Sequence, residues 1–274
     1  MNEHRPVRIA VQLHPQHGKY AGLRRSVGRA EELGYDIAYN WDHFFPLYGP
    51  ADGAHFECWT MLAAWAEQTE RIEIGPLVAC NSYRNPQLLA DMARTVDHIS
   101  GGRLILGLGS GWNRRDYHEY GYEYGTAGSR LRALGEALPL IEERLGLLVP
   151  PPVRRPPILI GGTGEKVTLR LIARHAQGWH ALFPDHSEEL VPKVAALEHW
   201  CEIEGRDPGE IERGVGVEPE DLDRFLLEEA DSLLEMGFTQ FTLGFNGPEW
   251  DVEAGMAWLL WRDQINASRD ASLA

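Results

Sequence analysis

The sequence predicts a (β/α)8 barrel, and three observations carry that prediction. Short apolar runs alternate with amphipathic helical stretches from one end of the 274-residue chain to the other. The alternation repeats eight times, about 34 residues per unit, which is what a strand, a helix and two connections need. The apolar share of 43% is enough for an extensive core. A doubly wound open sheet is the competing architecture, and it usually stops at five or six strands. Residues 1–274 are expected to form a single barrel domain, since such barrels commonly reach about 250 residues as one unit.

The elements follow in order. Val7–Leu13 (VRIAVQL) is the first strand; Leu23, Val27, Ala30 and Leu33 then recur at spacings of 4, 3 and 3, a helical face closed by Gly34. Tyr35–Trp41 is the second strand, Glu57–Thr69 the second helix and Arg71–Ala79 the third strand. The third helix opens with Asn85 as N-cap and Pro86 in its first position. It lines up Leu88, Leu89, Met92, Val96 and Ile99 before Ser100-Gly101-Gly102 ends it, and Arg103–Gly109 is the fourth strand.

A helix lies within Ser129–Leu145, and Pro139 removes a backbone donor inside it, which can kink it. Val149–Pro157 (VPPPVRRPP) is held extended by its prolines and makes a short connection between helix four and strand five. Ile158–Gly161 is strand five, Lys166–Ala176 helix five, Trp179–Phe183 strand six, and Ser187 to Glu204 helix six. Arg213–Val217 is strand seven, Glu220–Met236 helix seven, Phe238–Leu243 strand eight, and Val252 to Asn266 the last helix.

Composition narrows the partners. A formal net charge of −15 argues against nucleic acid, which requires a basic face. Cys58, Cys80 and Cys201 are widely separated and odd in number, as expected of reduced thiols and not of a disulfide framework. The N-terminal stretch has too short an apolar run for a signal peptide, and no run approaches the ~18 apolar residues of a membrane span. A cytoplasmic protein acting on a small molecule, without a membrane partner, is expected.

In a barrel the ligand groups come from the C-terminal ends of the strands. Strand two ends in Trp41-Asp42-His43-Phe44, where a histidine beside a carboxylate can act as general acid or base, or can simply cap a loop. Strand four ends in Gly107-Leu108-Gly109-Ser110-Gly111-Trp112-Asn113, whose glycines let a flat ring or a phosphate approach the backbone. Strand five ends in Gly161-Gly162-Thr163-Gly164-Glu165-Lys166, leading directly into a helix. Its free N–H groups, the helix N-terminus and the Thr163 hydroxyl together make the strongest anion-site signal in the chain. Cys80 has no histidine adjacent in sequence and is read as a buried thiol. His14 and His17 lack a carboxylate at ligand spacing and are read as loop residues, and no metal site is expected. Trp41, Trp112 and Trp179 lie near strand ends, where they can line a pocket.

Four segments together resemble the luciferase-like monooxygenase superfamily, and within it the actinobacterial branch of oxidoreductases that use the deazaflavin coenzyme F420. They are AEELGYDIAYNWDHF, LAAWAEQTERIEIGPLV, YRNPQLLADMARTVDHISGGRLILGLGSGW and PPILIGGTGEKVTLRLIARHAQGW, within residues 7–183. The resemblance implies a luciferase-like barrel, usually dimeric, with an isoalloxazine-type ring across its mouth. It implies catalytic roles for Asp42 and His43, with Asp42 tuning His43. It also implies a non-prolyl cis peptide at Leu77-Val78 against the back of the ring, and a ligand loop at Ser110, Gly111 and Trp112. The cofactor phosphate is then expected on the backbone of Gly161, Gly162, Thr163, Gly164 and Glu165.

The expected reaction is hydride transfer between F420 and a small organic substrate. The alternative is an FMN-dependent monooxygenase with a reductase partner and O2. Trp112 stands where some F420-dependent sugar-phosphate dehydrogenases carry a proton-donating Glu, so that chemistry is not carried over. Asp116-Tyr117, after Arg114-Arg115, replaces a Glu-Phe-like pair of many relatives. The short connection before strand five implies a more open mouth, or a pocket completed by a second copy in a homodimer.

Overall fold

A computed structural model describes residues 5–273. Nine parallel strands form one sheet: β1 (Arg8–Leu13), β2 (Ile37–Asn40), β3 (Glu73–Pro76), β4 (Ala79–Cys80), β5 (Leu106–Gly109), β6 (Ile158–Gly161), β7 (Gly178–His180), β8 (Glu212–Val217) and β9 (Phe238–Phe245). Their order is β3-β2-β1-β9-β8-β7-β6-β5-β4. The two ends of that order are consecutive pieces of one run of chain, interrupted at Leu77-Val78. Ile74 bridges to Leu104, and the Ile105 N–H donates to the Ile74 carbonyl at 2.8 Å, so the sheet returns on itself. Counted as staves, the strands are the eight of a (β/α)8 barrel, the third one broken in two.

Ten helices cover it: α1 (Tyr20–Leu33), α2 (Cys58–Gln68), α3 (Pro86–Ser100), α4 (Arg114–Tyr120), α5 (Ala127–Leu147), α6 (Thr168–His175), α7 (Val191–Glu204), α8 (Leu222–Glu228), α9 (Ala230–Glu235) and α10 (Met256–Leu273). Local signals set several of their ends. Gly34 takes φ +88° after α1 and returns its N–H to Ala30 and Glu31. Asn85 caps α3 through the N–H groups of Gln87 and Leu88, and Glu57 caps α2 through those of Trp59 and Thr60.

The structure departs from the expected elements in several places. α4 lies where the sequence predicted no element. Helix five begins at Thr168, not Lys166, so the loop after β6 is longer than expected. The stretch read as helix seven is two helices, divided at Glu229. Pro139 sits inside α5, which runs on through it for 21 residues.

Alternation with period two sorts the strand residues. Ala10, Ile37, Tyr39, Leu77, Ile105 and Leu159 cluster inside the barrel, while Ile9, Val11, Leu13, Ile74 and Leu108 join the larger core beneath the helices. At the N-terminal end of the barrel Arg8 is ion-paired with Glu73, and at 2.7 Å with Glu212. No helix among the described residues is long and apolar enough to cross a membrane.

Candidate active site

The C-terminal ends of the strands surround a cavity of about 460 Å³. Its floor is apolar. The Leu77-Val78 peptide is cis, and the Leu77 carbonyl accepts a 2.8 Å hydrogen bond from the Gln12 side chain inside the barrel. Val78 lies across the ends of two strands that carry glycine beneath it: a Cβ on Gly109 would come within 2.6 Å of one Val78 methyl, and one on Gly161 within 3.1 Å of the other. Only glycine at both positions lets the valine settle that deeply.

His43 stands above this floor at the end of β2. Its Nδ1 is 2.6 Å from Oδ2 of Asp116 on α4. Asp116 is fully buried and also accepts from the Tyr83 hydroxyl at 3.2 Å and the Phe44 N–H at 3.1 Å. With Nδ1–H donating to this carboxylate, the neutral ring keeps its lone pair on Nε2, the nitrogen left for exchange with a ligand. Trp41 and Trp112 meet the imidazole edge-to-face, with ring centroids 5.9 and 5.6 Å away.

Asp42 has a different task from the one expected. It does not touch His43. Arg84 grips it with two bonds of 2.5 and 2.9 Å, and it accepts the Cys80 N–H at 2.9 Å. Asp42 thereby ties the end of β2 to β4 and the turn before α3, and it holds the Arg84 guanidinium charged against the cost of its burial. The carboxylate bonded to His43 is Asp116. Its acidic side chain was visible in sequence, but its contact spans 73 residues, and no local spacing announces such a pairing.

The other expected residues divide. Leu77, Val78, Ser110, Gly111, Trp112, Gly161 and Gly162 line the cavity, together with Asp42 and His43. Gly111 has φ +80°, and its missing Cβ leaves room for the Tyr117 hydroxyl and the Cys80 sulfur. Thr163, Gly164 and Glu165 lie outside the lining. The Glu165 carboxylate reaches Lys193 at 2.6 Å, and its carbonyl accepts from the Trp200 indole. The Gly162 N–H is also spent, on the His180 carbonyl at 3.0 Å. Thr168, at the start of α6, lines the cavity instead.

Three further histidines lie in or behind the walls, and of these the sequence singles out only His14, as a loop residue. His14 stacks on Trp41 with centroids 4.3 Å apart and bonds Asn246; burial pushes its imidazole down to about 4. His55 accepts from the Trp41 indole at 2.9 Å, and burial, then the nearby His43, push it down to about 4 as well. His180, which unlike these two lines the cavity, is lowered by burial to about 3. All three are neutral near pH 7. Cys80 keeps its proton too, because burial raises its thiol. Of the two histidines in the lining, His43 has a carboxylate partner and His180 does not.

The fit to a flat ring is direct. An apolar floor at Val78, backbone laid bare by Gly109 and Gly161, and a histidine on one side make a bed for a planar ring and a proton-transfer group beside it. Among the described residues, no cluster of three or more His, Cys, Asp or Glu side chains is arranged to hold a metal ion.

Comparison with known proteins agrees with this geometry. The family model described as luciferase-like monooxygenase matches residues 5–219. An F420-dependent glucose-6-phosphate dehydrogenase of Microbacterium testaceum (strain StLB037) is 30% identical over 205 residues, covering 67% of this chain and 59% of that one. A protein of the same description from Amycolatopsis mediterranei (strain U-32) is 36% identical over 118 residues, 42% of this chain and 34% of that one. The matched region is thus between about a third and three-fifths of these relatives' length. Among solved structures, an F420-dependent secondary alcohol dehydrogenase in complex with an F420-acetone adduct shares the fold, with a TM-score of 0.79 at 16% identity over 92% of this chain and 96% of that one.

Proposed function

This chain belongs to the luciferase-like monooxygenase family, and we propose that it is an F420-dependent oxidoreductase that moves a hydride between the coenzyme and a small organic substrate. The observation that carries the reading is His43, held on the buried carboxylate of Asp116 above the apolar floor at Val78. The names of the relatives supply the coenzyme.

When bound, the deazaflavin supplies the two-electron hydride carrier. Leu77 and Val78 back the ring; Ser110, Gly111, Trp112, Gly161 and Gly162 border it. The loop through Thr163, Gly164 and Glu165 takes the phosphate, using N–H groups that the fold does not otherwise spend. His43 gives a proton to the substrate oxygen as the hydride arrives at carbon, or takes it in the reverse direction. Asp116 fixes the ring's orientation. Asp42 acts at one remove, holding Cys80 and Arg84 so that the ends of β2 and β4 keep their spacing. Trp41 and Trp112 keep water from the imidazole.

The protein is further proposed to be one barrel domain along its whole length, cytoplasmic and homodimeric, with no nucleic-acid or membrane partner. Titration of the purified protein with F420 and, separately, with FMN tests the cofactor, read by absorbance and fluorescence. Micromolar binding of F420 with much weaker binding of FMN is the expected result. A preference for FMN would replace this reading by that of a monooxygenase working with a reductase and O2.

A further inference from the structure

We propose that the substrate of this site is an uncharged molecule with a flat, apolar body, an aromatic or conjugated aldehyde, ketone or corresponding alcohol, and that phosphorylated or carboxylated substrates are refused. The inference rests on the F420 reading and adds the substrate class to it.

Among the described residues, the cavity lining contains no Lys or Arg. The arginines packed around it are already engaged. Arg84 is clamped on Asp42. Arg115 donates to the Ala51 carbonyl at 2.6 Å and lies 3.9 Å over the Phe45 ring. Arg130 is bound to the carbonyls of Gly111 and Tyr124. Lys166 follows the loop assigned to the cofactor phosphate and is outside the lining. A substrate phosphate would therefore find no Lys or Arg in the lining to pair with, next to an imidazole bonded to a carboxylate and in a chain of net charge −15.

The carboxylates beside the cavity are engaged as well. Asp42 is saturated by Arg84 and Cys80, and Asp116 by His43, Tyr83 and Phe44. At the rim, Glu218 bonds the Tyr48 hydroxyl. What remains for recognition is shape and apolar surface. Trp41, Tyr48, Leu47, Trp112, Leu182 and Phe183 form the walls above the floor. Trp112 is 63% exposed, a large ring left uncovered at the mouth, where a flat ligand could cover it.

The chemistry balances with the reductant already named. In one direction the hydride of the reduced deazaflavin forms a C–H bond at the carbonyl carbon, the C=O π bond breaks, and the proton goes from His43 to oxygen. Oxidised coenzyme and alcohol result. In the other direction the alcohol O–H proton passes to His43 and the carbinol hydride to the oxidised coenzyme.

Ligand-observed saturation-transfer NMR tests the proposal without relying on turnover. 2-Cyclohexen-1-one, benzaldehyde and glucose 6-phosphate are titrated against the protein with F420 bound and, in parallel, without it. The expected result is binding of the two uncharged probes at least about 100-fold tighter than glucose 6-phosphate, the scale set by an uncompensated charge. In Trp112→Arg, at an exposed position, that ratio should fall by about tenfold or more. Glucose 6-phosphate binding as tightly as the enone, or failure of both uncharged probes to bind, overturns the substrate class. Failure of F420 itself to bind is read separately, from its own absorbance, and strikes the cofactor reading; the preference among probes without F420 then decides the substrate class alone.

Discussion

His43 carries a partner that gives it direction. The Asp116 carboxylate fixes Nδ1, so its neutralisation and the removal of His43 should have different consequences. His43→Ala is expected to lower turnover about 100-fold, in line with general acid–base contributions, with F420 affinity nearly unchanged. Asp116→Asn keeps an acceptor at the same place but removes the charge, and kcat should fall about tenfold while KM stays within a factor of two. Steady-state kinetics with an F420 titration of each variant checks both; equal losses in kcat and cofactor affinity would reduce Asp116 to a structural residue. Reading the sequence locates His43 from the end of an apolar strand, but its partner is hidden. Arg84 and Asp116 lie 42 and 73 residues from the groups they bind, and only folding brings them together. Asp42, adjacent in sequence to His43, is the natural local guess, yet alternation along an extended chain sends neighbouring side chains to opposite sides.

Most strands and helices announce themselves because their signals are local: the cap at Asn85, the glycine at 34, the period-two and period-three-to-four spacing of apolar residues. α4 does not. Its seven residues (RRDYHEY) carry no apolar stripe, and it is held by the Asn113 cap and a left-handed Gly121. The break of the third stave at Leu77-Val78 is likewise invisible to periodicity. Its neighbouring glycines allow a sharp test at this scale. Gly109→Ala drives a Cβ to 2.6 Å from Val78, and overpacking of this kind should cost about 1–3 kcal/mol while weakening F420 binding at least tenfold. Gly28→Ala in α1, whose Cβ would meet only the end of Gln68 at 3.8 Å, should instead stabilise by up to about 1 kcal/mol through helix propensity. Urea unfolding of both variants gives the comparison; a neutral Gly109→Ala would mean that Val78 is not held down by the strands beneath it.

Across the whole molecule, stability should fall in mild acid before the carboxylates titrate. His14, His55 and His180 are neutral when folded, at about 4, 4 and 3, but take up protons near their ordinary value of 6.5 once unfolded. The unfolded chain therefore binds more protons between pH 6.5 and about 4. The stability these groups provide is complete above 6.5 and is lost as pH falls toward 4. Each contributes a slope of at most about 1.4 kcal/mol per pH unit. Urea midpoints at pH 7.5 and 5.5 should differ clearly, and replacing His180 by Gln should flatten the difference; identical midpoints would remove the effect. Barrel architecture has one more outcome, and it concerns traffic. Arg8, Glu73 and Glu212 seal the far end of the barrel, and Ile37, Tyr39, Ile105 and Leu159 fill its middle. The cavity is a cul-de-sac. Whatever rests on Val78 must arrive before its companion and depart after it, so the enzyme keeps a queue: coenzyme first in, last out. Initial-rate and product-inhibition patterns should show compulsory order, set by a wall at the opposite end of the molecule from the chemistry.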